Sequence, residues 1–145
     1  IRRPGPACFS GCFSRFFIRR LSSGRLLMIN HYKFSHRIDL DDIMRQGNVK
    51  RWKGRSHLTA MLSEDDGATW PYTLLLDERD EVSYPDAKEA DDGYIYVTYD
   101  HQRVTKREIL MARFTEQDIL AGRLQSSRST LRILVNKALG QPDIH

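Results

Sequence analysis

Apolar residues recur along this chain in short runs separated by polar, glycine-containing connections, the pattern of strands rather than of helices. Phe16 to Leu21 and Arg25 to Asn30 flank Ser22-Ser23-Gly24, a connection that suits a hairpin. Ser83 to Ala90 and Tyr94 to Tyr99 flank Asp91-Asp92-Gly93 in the same way. The run Tyr94-Ile95-Tyr96-Val97-Thr98-Tyr99 is β-branched and aromatic throughout, as a buried strand requires. His57 to Leu62, Ile109 to Phe114 and Leu131 to Val135 read as further strands. Helix signals are sparse. Thr115-Glu116-Gln117-Asp118 has an N-cap residue with an acid three positions on, followed by Ile119-Leu120-Ala121-Gly122, which predicts one or two turns. Ile38 to Met44 predicts a second short turn within Lys33 to Gly54, a polar, irregular stretch read as a long loop between strands. The fold class is all-β.

Two parts of the chain resemble each other. Leu21 to His31 overlays Ala90 to Asp100 with Gly24 on Gly93, and His57 to Asp65 overlays Ile109 to Gln117 with Ala60 on Ala112 and Ser63 on Thr115. The offsets, 69 and 52 residues, differ, so the loops vary while the strands repeat. Four-stranded units at this period are the signature of β-propeller blades, which bury their faces only against neighbouring blades. About two blades fit here. Alone they leave apolar faces open, and the chain begins at Ile1, so it is expected to be the end of a longer protein with the rest of the propeller upstream. The expected organisation is a ragged N-terminal segment over 1–12, blades over 13–135 and a C-terminal tail over 136–145.

Composition narrows the function classes. The 145 residues are 40% hydrophobic and 29% charged, ordinary for a globular domain and not for a disordered one. The net charge of +4 is local: residues 1–25 hold six arginines and no acid, while Glu64 to Asp100 holds twelve acids against Arg79 and Lys88. A nucleic-acid partner is not expected, because Lys and Arg are not spread along one face. The longest uncharged stretch, Pro4 to Ser14, is too short and too rich in Gly, Pro and Ser to span a bilayer, and it lacks a signal-peptide core. Cys8 and Cys12 stand alone as C-x-x-x-C, a poor zinc spacing, and His31, His36, His57 and His145 show no metal spacing. No metal and no cofactor is expected.

Ser63 to Trp70 (SEDDGATW) meets every specified position of S-x-D-x-G-x-T-W, through Ser63, Asp65, Gly67, Thr69 and Trp70, directly after a predicted strand. Asp65 and Ser63 are placed to satisfy turn amides, Gly67 to take positive φ, and Trp70 to pack beneath the loop. This is the Asp box of sialidase-like β-propellers. Four runs, Arg55 to Trp70, Leu74 to Arg79, Val82 to Ala87 and Asp92 to Asp100, resemble the C-terminal part of bacterial BNR/Asp-box exo-α-sialidase-like proteins, and Phe16 to His31 resembles the strand pair before it. The resemblance covers roughly residues 13–135 and implies a six-bladed propeller in which the Asp box is structural.

It also implies a site. Arg55, leading into the Asp-box strand, matches an arginine that clamps the sugar carboxylate; Tyr84 matches the nucleophile; Asp100 matches the acid that holds another clamp arginine, where sialidases usually have Glu. His101 and Arg103 lie just beyond and could line the same mouth, without a matched role. The residue types suit the chemistry. A carboxylate nucleophile would meet the charge of the carboxylate on the anomeric carbon of sialic acid, and a neutral phenol avoids it. Ionising a tyrosine near pH 7 costs about 4 kcal/mol from its reference pKa, which a neighbouring carboxylate base offsets by taking the proton. Two positions depart from the family: Pro85 follows Tyr84 where a small polar residue is usual, and Asp100 is one methylene short.

The expected function is therefore that of part of an exo-glycosidase removing terminal acidic sugars, sialic acid or another, from glycans. The catalytic aspartate, the base for the tyrosine and two further arginines are expected upstream, so the chain alone is expected to be inactive. A non-catalytic Asp-box propeller binding glycans or proteins is the alternative, and a glycosidase or lyase for a different acidic sugar is a second. The expected location is periplasmic or secreted, where such glycans are found.

Overall fold

A computed structural model of the chain describes residues 15–31 and 55–139. The expected turn at Ile38 to Met44, the loop from Lys33 to Gly54, and Cys8 and Cys12 lie outside those residues. In chain order the described elements are β1 (Phe17–Arg20), β2 (Leu26–His31), β3 (Leu58–Ser63), β4 (Tyr72–Asp77), β5 (Val82–Glu89), β6 (Tyr94–His101), β7 (Glu108–Thr115), α1 (Glu116–Ala121) and β8 (Thr130–Lys137). They form two four-stranded antiparallel sheets, β1-β2-β3-β4 and β5-β6-β7-β8, each strand beside its sequence neighbour. This all-β arrangement is that of two propeller blades.

Local chemistry accounts for the elements. Both inner hairpins close alike: Leu21 N donates to Arg25 O and Gly24 N to Leu21 O, while Ala90 N donates to Tyr94 O and Gly93 N to Ala90 O. Both glycines take positive φ, 91° and 80°, which a side chain resists. Helix α1 has the expected capping box, with Thr115 and Asp118 each bonding the other's backbone N–H, and it ends on Gly122 in the left-handed conformation. Strand β4 is absent from the sequence reading. Its run Thr73-Leu74-Leu75-Leu76 does not alternate, although its surroundings do: Leu74 and Leu76 are buried and Leu75 is 45% exposed.

One apolar cluster draws on both sheets, with Leu27, Ile29, Ala60 and Leu62 from the first and Ile95, Val97, Ala112 and Phe114 from the second. Each fully buried Leu, Ile or Phe in it contributes roughly 1.5–3 kcal/mol relative to exposure. The ladder corrects the sequence overlay by one residue. Arg20 pairs with Leu26 and Glu89 with Ile95, so the hairpins match at an offset of 69. Leu26 then faces Ser63 whereas Ile95 faces Phe114, which makes Phe114, not Thr115, the counterpart of Ser63. The overlay at 52 follows residues that point into the shared core, and those lie on opposite faces of the two sheets. By the hairpin match Leu27 and Ile29 correspond to Tyr96 and Thr98, which lie outside the cluster. The two sheets thus meet through unlike faces.

Polar contacts tie the sheets together at both ends. At the hairpin end, Ser22 N and Oγ donate to the two oxygens of Glu89, and Ser23 Oγ donates to Glu116. At the other end, Val82 N donates to Arg55 O at 3.0 Å, and His31 Nε2 lies 2.7 Å from Val82 O. Those two contacts fix where β5 starts relative to the first sheet.

Candidate functional site

The Asp box and the residues matched to catalysis lie at opposite ends of the strands. Ser63 ends β3 while Arg55 precedes its start, and a six-residue strand spans roughly 20 Å.

At the Asp-box end the polar groups satisfy one another. Ser63 Oγ donates to Asp65 Oδ1 at 2.7 Å and accepts from Gly67 N at 2.8 Å. Asp65 accepts from Thr69 N at 2.8 Å and from Thr69 Oγ1 at 2.6 Å. The Thr69 hydroxyl, then the Thr69 amide and the Ser63 hydroxyl, hold the Asp65 carboxyl down to about 2. Trp70 Nε1 donates to Gly67 O at 3.2 Å, and a Cβ on Gly67, whose φ is 90°, would meet the Trp70 ring at 3.5 Å. The loop is a closed structural unit.

At the other end a bulge presents Tyr84. Ser83 pairs with Asp100 and Asp86 with Thr98, so Tyr84 and Pro85 together stand opposite Tyr99. Tyr84 takes φ 55°, a left-handed conformation that costs a non-glycine residue about 1–3 kcal/mol. Pro85 fits because a bulge needs no ladder donor there. The Tyr84 ring is half-buried, and three guanidinium groups converge on it. Arg103 lies 3.9 Å from its centroid, Arg55 5.6 Å and Arg15 5.9 Å, all within cation–π range.

Asp100 is buried beside this cluster. Its Oδ1 accepts from Ser83 Oγ at 2.6 Å, and its Oδ2 accepts from Arg103 Nε at 2.9 Å with Nη2 at 2.7 Å. Asp100 chiefly raises the pKa of Arg103. The acid therefore does hold an arginine, but one three residues on in the β6–β7 turn. His101 falls on the opposite face of β6, buried, with Nδ1 2.7 Å from Glu108 Oε2. The expectation that it lines the same mouth does not hold.

Tyr84, Arg55 and Asp100, picked from the sequence, are brought to one end of the sheets, joined by Arg103 and by Arg15. Arg103 had a legible signal in the spacing Asp100-x-x-Arg103 after a strand; Arg15 had none. His31 also belongs here. Because Val82 O only accepts, Nε2 carries the proton, and Nδ1 is buried with no hydrogen-bond partner among the described residues. Burial lowers the His31 pKa, with the charge of Arg55 acting in the same direction and the bond to Val82 opposing.

A model of the BNR repeat-like domain matches residues 15–97. That match covers more than half of the chain. The chain belongs to the BNR repeat-like domain family. Neither the curated proteins nor the solved structures gave a match. The BNR match takes in the Asp box, Arg55 and Tyr84 and ends at Val97, ahead of Asp100 and Arg103. BNR repeats occur in sialidase-like propellers, and the second sheet of this BNR chain continues past the match to complete its four strands. Among the described residues no group of three or more His, Cys, Asp or Glu side chains could hold a metal ion. No described helix is long and apolar enough to cross a membrane.

Proposed function

We propose that the Tyr84 end of the sheets belongs to a sialidase-like exo-glycosidase site for terminal acidic sugars of glycans. The observation that carries this reading is the convergence of the Arg15, Arg55 and Arg103 guanidinium groups on one phenol ring presented by a left-handed bulge. Guanidinium groups bind carboxylates through paired, charge-assisted hydrogen bonds, so a ring of them selects an anionic sugar. Arg55 binds the sugar carboxylate. Tyr84 is the nucleophile, a neutral group that can approach an anomeric carbon bearing a carboxylate, and the outcome is retention of configuration. Asp100 supports the clamp from behind. An acid for the leaving oxygen and a base for the phenol complete such a reaction and come from the rest of the propeller. The glycan substrate implies a periplasmic or secreted location.

The test is turnover of a fluorogenic sialoside by the full-length protein and its Tyr84→Phe variant. The expected result is loss of most turnover with ligand binding and thermal unfolding nearly unchanged. Equal rates for both proteins would remove Tyr84 from the chemistry. Binding of glycans without turnover by the wild type would identify a non-catalytic propeller instead.

A further inference from the structure

Val82 is the pivot of the Tyr84 bulge. It is fully buried and lies between two residues in the left-handed conformation, Glu81 at φ 60° and Tyr84 at φ 55°. Strained backbone of this kind persists only where its surroundings over-determine it. Here the first sheet holds Val82 on both sides: Val82 N donates to Arg55 O at 3.0 Å, and Val82 O lies 2.7 Å from His31 Nε2. The first bond joins two backbone groups. The second depends on a side chain that titrates.

His31 is 7% exposed, and with its proton on Nε2 its Nδ1 has no hydrogen-bond partner among the described residues. A second proton would go to Nδ1, which leaves a buried donor unpaired and sets a charge beside Arg55. The neighbouring elements offer no relief. His57, on the segment before β3, has its Nδ1 2.9 Å from Ser56 Oγ. Asp77 on β4, which faces Leu58 in the ladder, is taken up by Arg79 and Tyr99. On β6, His101 faces Val82 and is bonded to Glu108, while Asp100 faces Ser83 and is bonded to it and to Arg103. Glu81, beside Val82, is exposed. None of these groups is a partner of Nδ1.

We infer that His31 is a positioning residue for Tyr84, acting through Val82: the neutral ring latches β5 and holds the bulge, and protonation at Nδ1 releases it. The Tyr84 end is thus formed at neutral pH and loosens in weak acid, below the ordinary histidine value of about 6.5, because burial and the charge of Arg55 both disfavour the charged ring against the pull of Val82 O. The Asp box, whose carboxyl is held down to about 2, keeps its form across that range. The inference concerns the shape of this end and is independent of the acidic-sugar reading.

The experiment is an NMR titration of the chain without ligand between about pH 7.5 and 5, which brackets histidine titration. Nitrogen shifts of the His31 ring are expected to show the Nε2–H form at neutral pH. The signals of Val82 and Tyr84 should shift with the same midpoint as His31, while those of Asp65 and Thr69 stay in place. In His31→Gln, which keeps a donor but cannot titrate, the Tyr84 signals should no longer follow pH over this range. In His31→Phe, which removes the donor, they should resemble at neutral pH those of the wild type in acid. If either variant fails to fold, the wild-type titration and ring tautomer carry the test. A Tyr84 signal that stays constant while His31 titrates overturns the inference, as does an Nδ1–H tautomer at neutral pH. Unchanged pH dependence of Tyr84 in His31→Gln assigns the effect to another group and overturns it too. Simultaneous loss of the Asp65 and Thr69 signals would mean global unfolding and no latch.

Discussion

The two ends of the strands solve opposite problems. At the Asp box, the polar groups of Ser63, Asp65, Gly67, Thr69 and Trp70 turn towards one another. Its left-handed residues, Asp66 at φ 54° and Gly67 at φ 90°, are of the types that adopt that conformation most readily. At the Tyr84 end the left-handed residues include a tyrosine, and cations crowd its ring instead of being dispersed. One end is arranged for stability, and the other holds strain and like charge that the flanking structure must restrain. The bonds from Val82 N to Arg55 O and from the His31 ring to Val82 O are part of that restraint.

The contrast breaks most visibly under substitution at the glycine. Gly67→Ala forces a side chain onto φ 90°, in ordinary contact with the Trp70 ring, and the backbone strain is expected to destabilise the fold by about 1–2 kcal/mol, read as a lower urea midpoint. On the proposed acidic-sugar reading, ligand binding by the folded variant should be unchanged. An unaltered midpoint would show that the loop gives way easily and is not the rigid end. The converse substitution is at the tyrosine. Tyr84→Gly should be more stable than Tyr84→Ala by about 1 kcal/mol, because glycine relieves the left-handed strain that alanine keeps. Equal stabilities would mean that the bulge is not strained.

Acidity separates the ends further, with smaller effects. The lowered pKa of His31 means that the unfolded chain binds a proton more readily than the folded one. Stability should therefore be fully present above the unfolded value of about 6.5 and fall as the pH drops below it. His31→Gln should flatten that slope in pH-dependent urea titrations; an unchanged slope would place the titrating group elsewhere. Asp65 acts lower on the scale. Its contribution is present above the unfolded carboxyl value of about 3.9 and is lost as the pH falls towards about 2, where the carboxylate that accepts the box's hydrogen bonds takes up a proton. In Asp65→Asn the pH dependence of the unfolding curves across that window should become shallower, with Asp77, Asp92, Glu108 and Asp118, also held low, supplying what remains.

What could be read from the sequence was what is local. The Asp box and the Thr115–Asp118 capping box close within eight residues, so residue type and spacing contain the whole structure. The hairpins were legible for the same reason. Strand β4 was not, because a run of leucines gives no alternation and its burial is decided by the opposing sheet. Resemblance brought out Tyr84, Arg55 and Asp100, yet the way they assemble depends on a bulge and a turn folding back. Arg103 reaches the Tyr84 ring only because the β6–β7 turn returns it to Asp100, and His101 is turned away by strand alternation that begins well upstream.

The unlike faces through which the sheets meet give the assembly a direction. Two copies related by a twofold axis would bury the same surface on each and be complete as a pair. Here the surface used by the first sheet corresponds to one that the second keeps outside the shared core, at Tyr96 and Thr98. Contacts of this head-to-tail kind either run on as an open stack or come round on themselves as a ring. A ring gathers one strand of every unit about a common axis, and β1 and β5, the strands that follow Arg15 and present Tyr84, touch each other across the two sheets. Arg15 and Arg55 reach the Tyr84 ring from the first sheet and Arg103 from the second, so their convergence is a product of how the sheets are stacked.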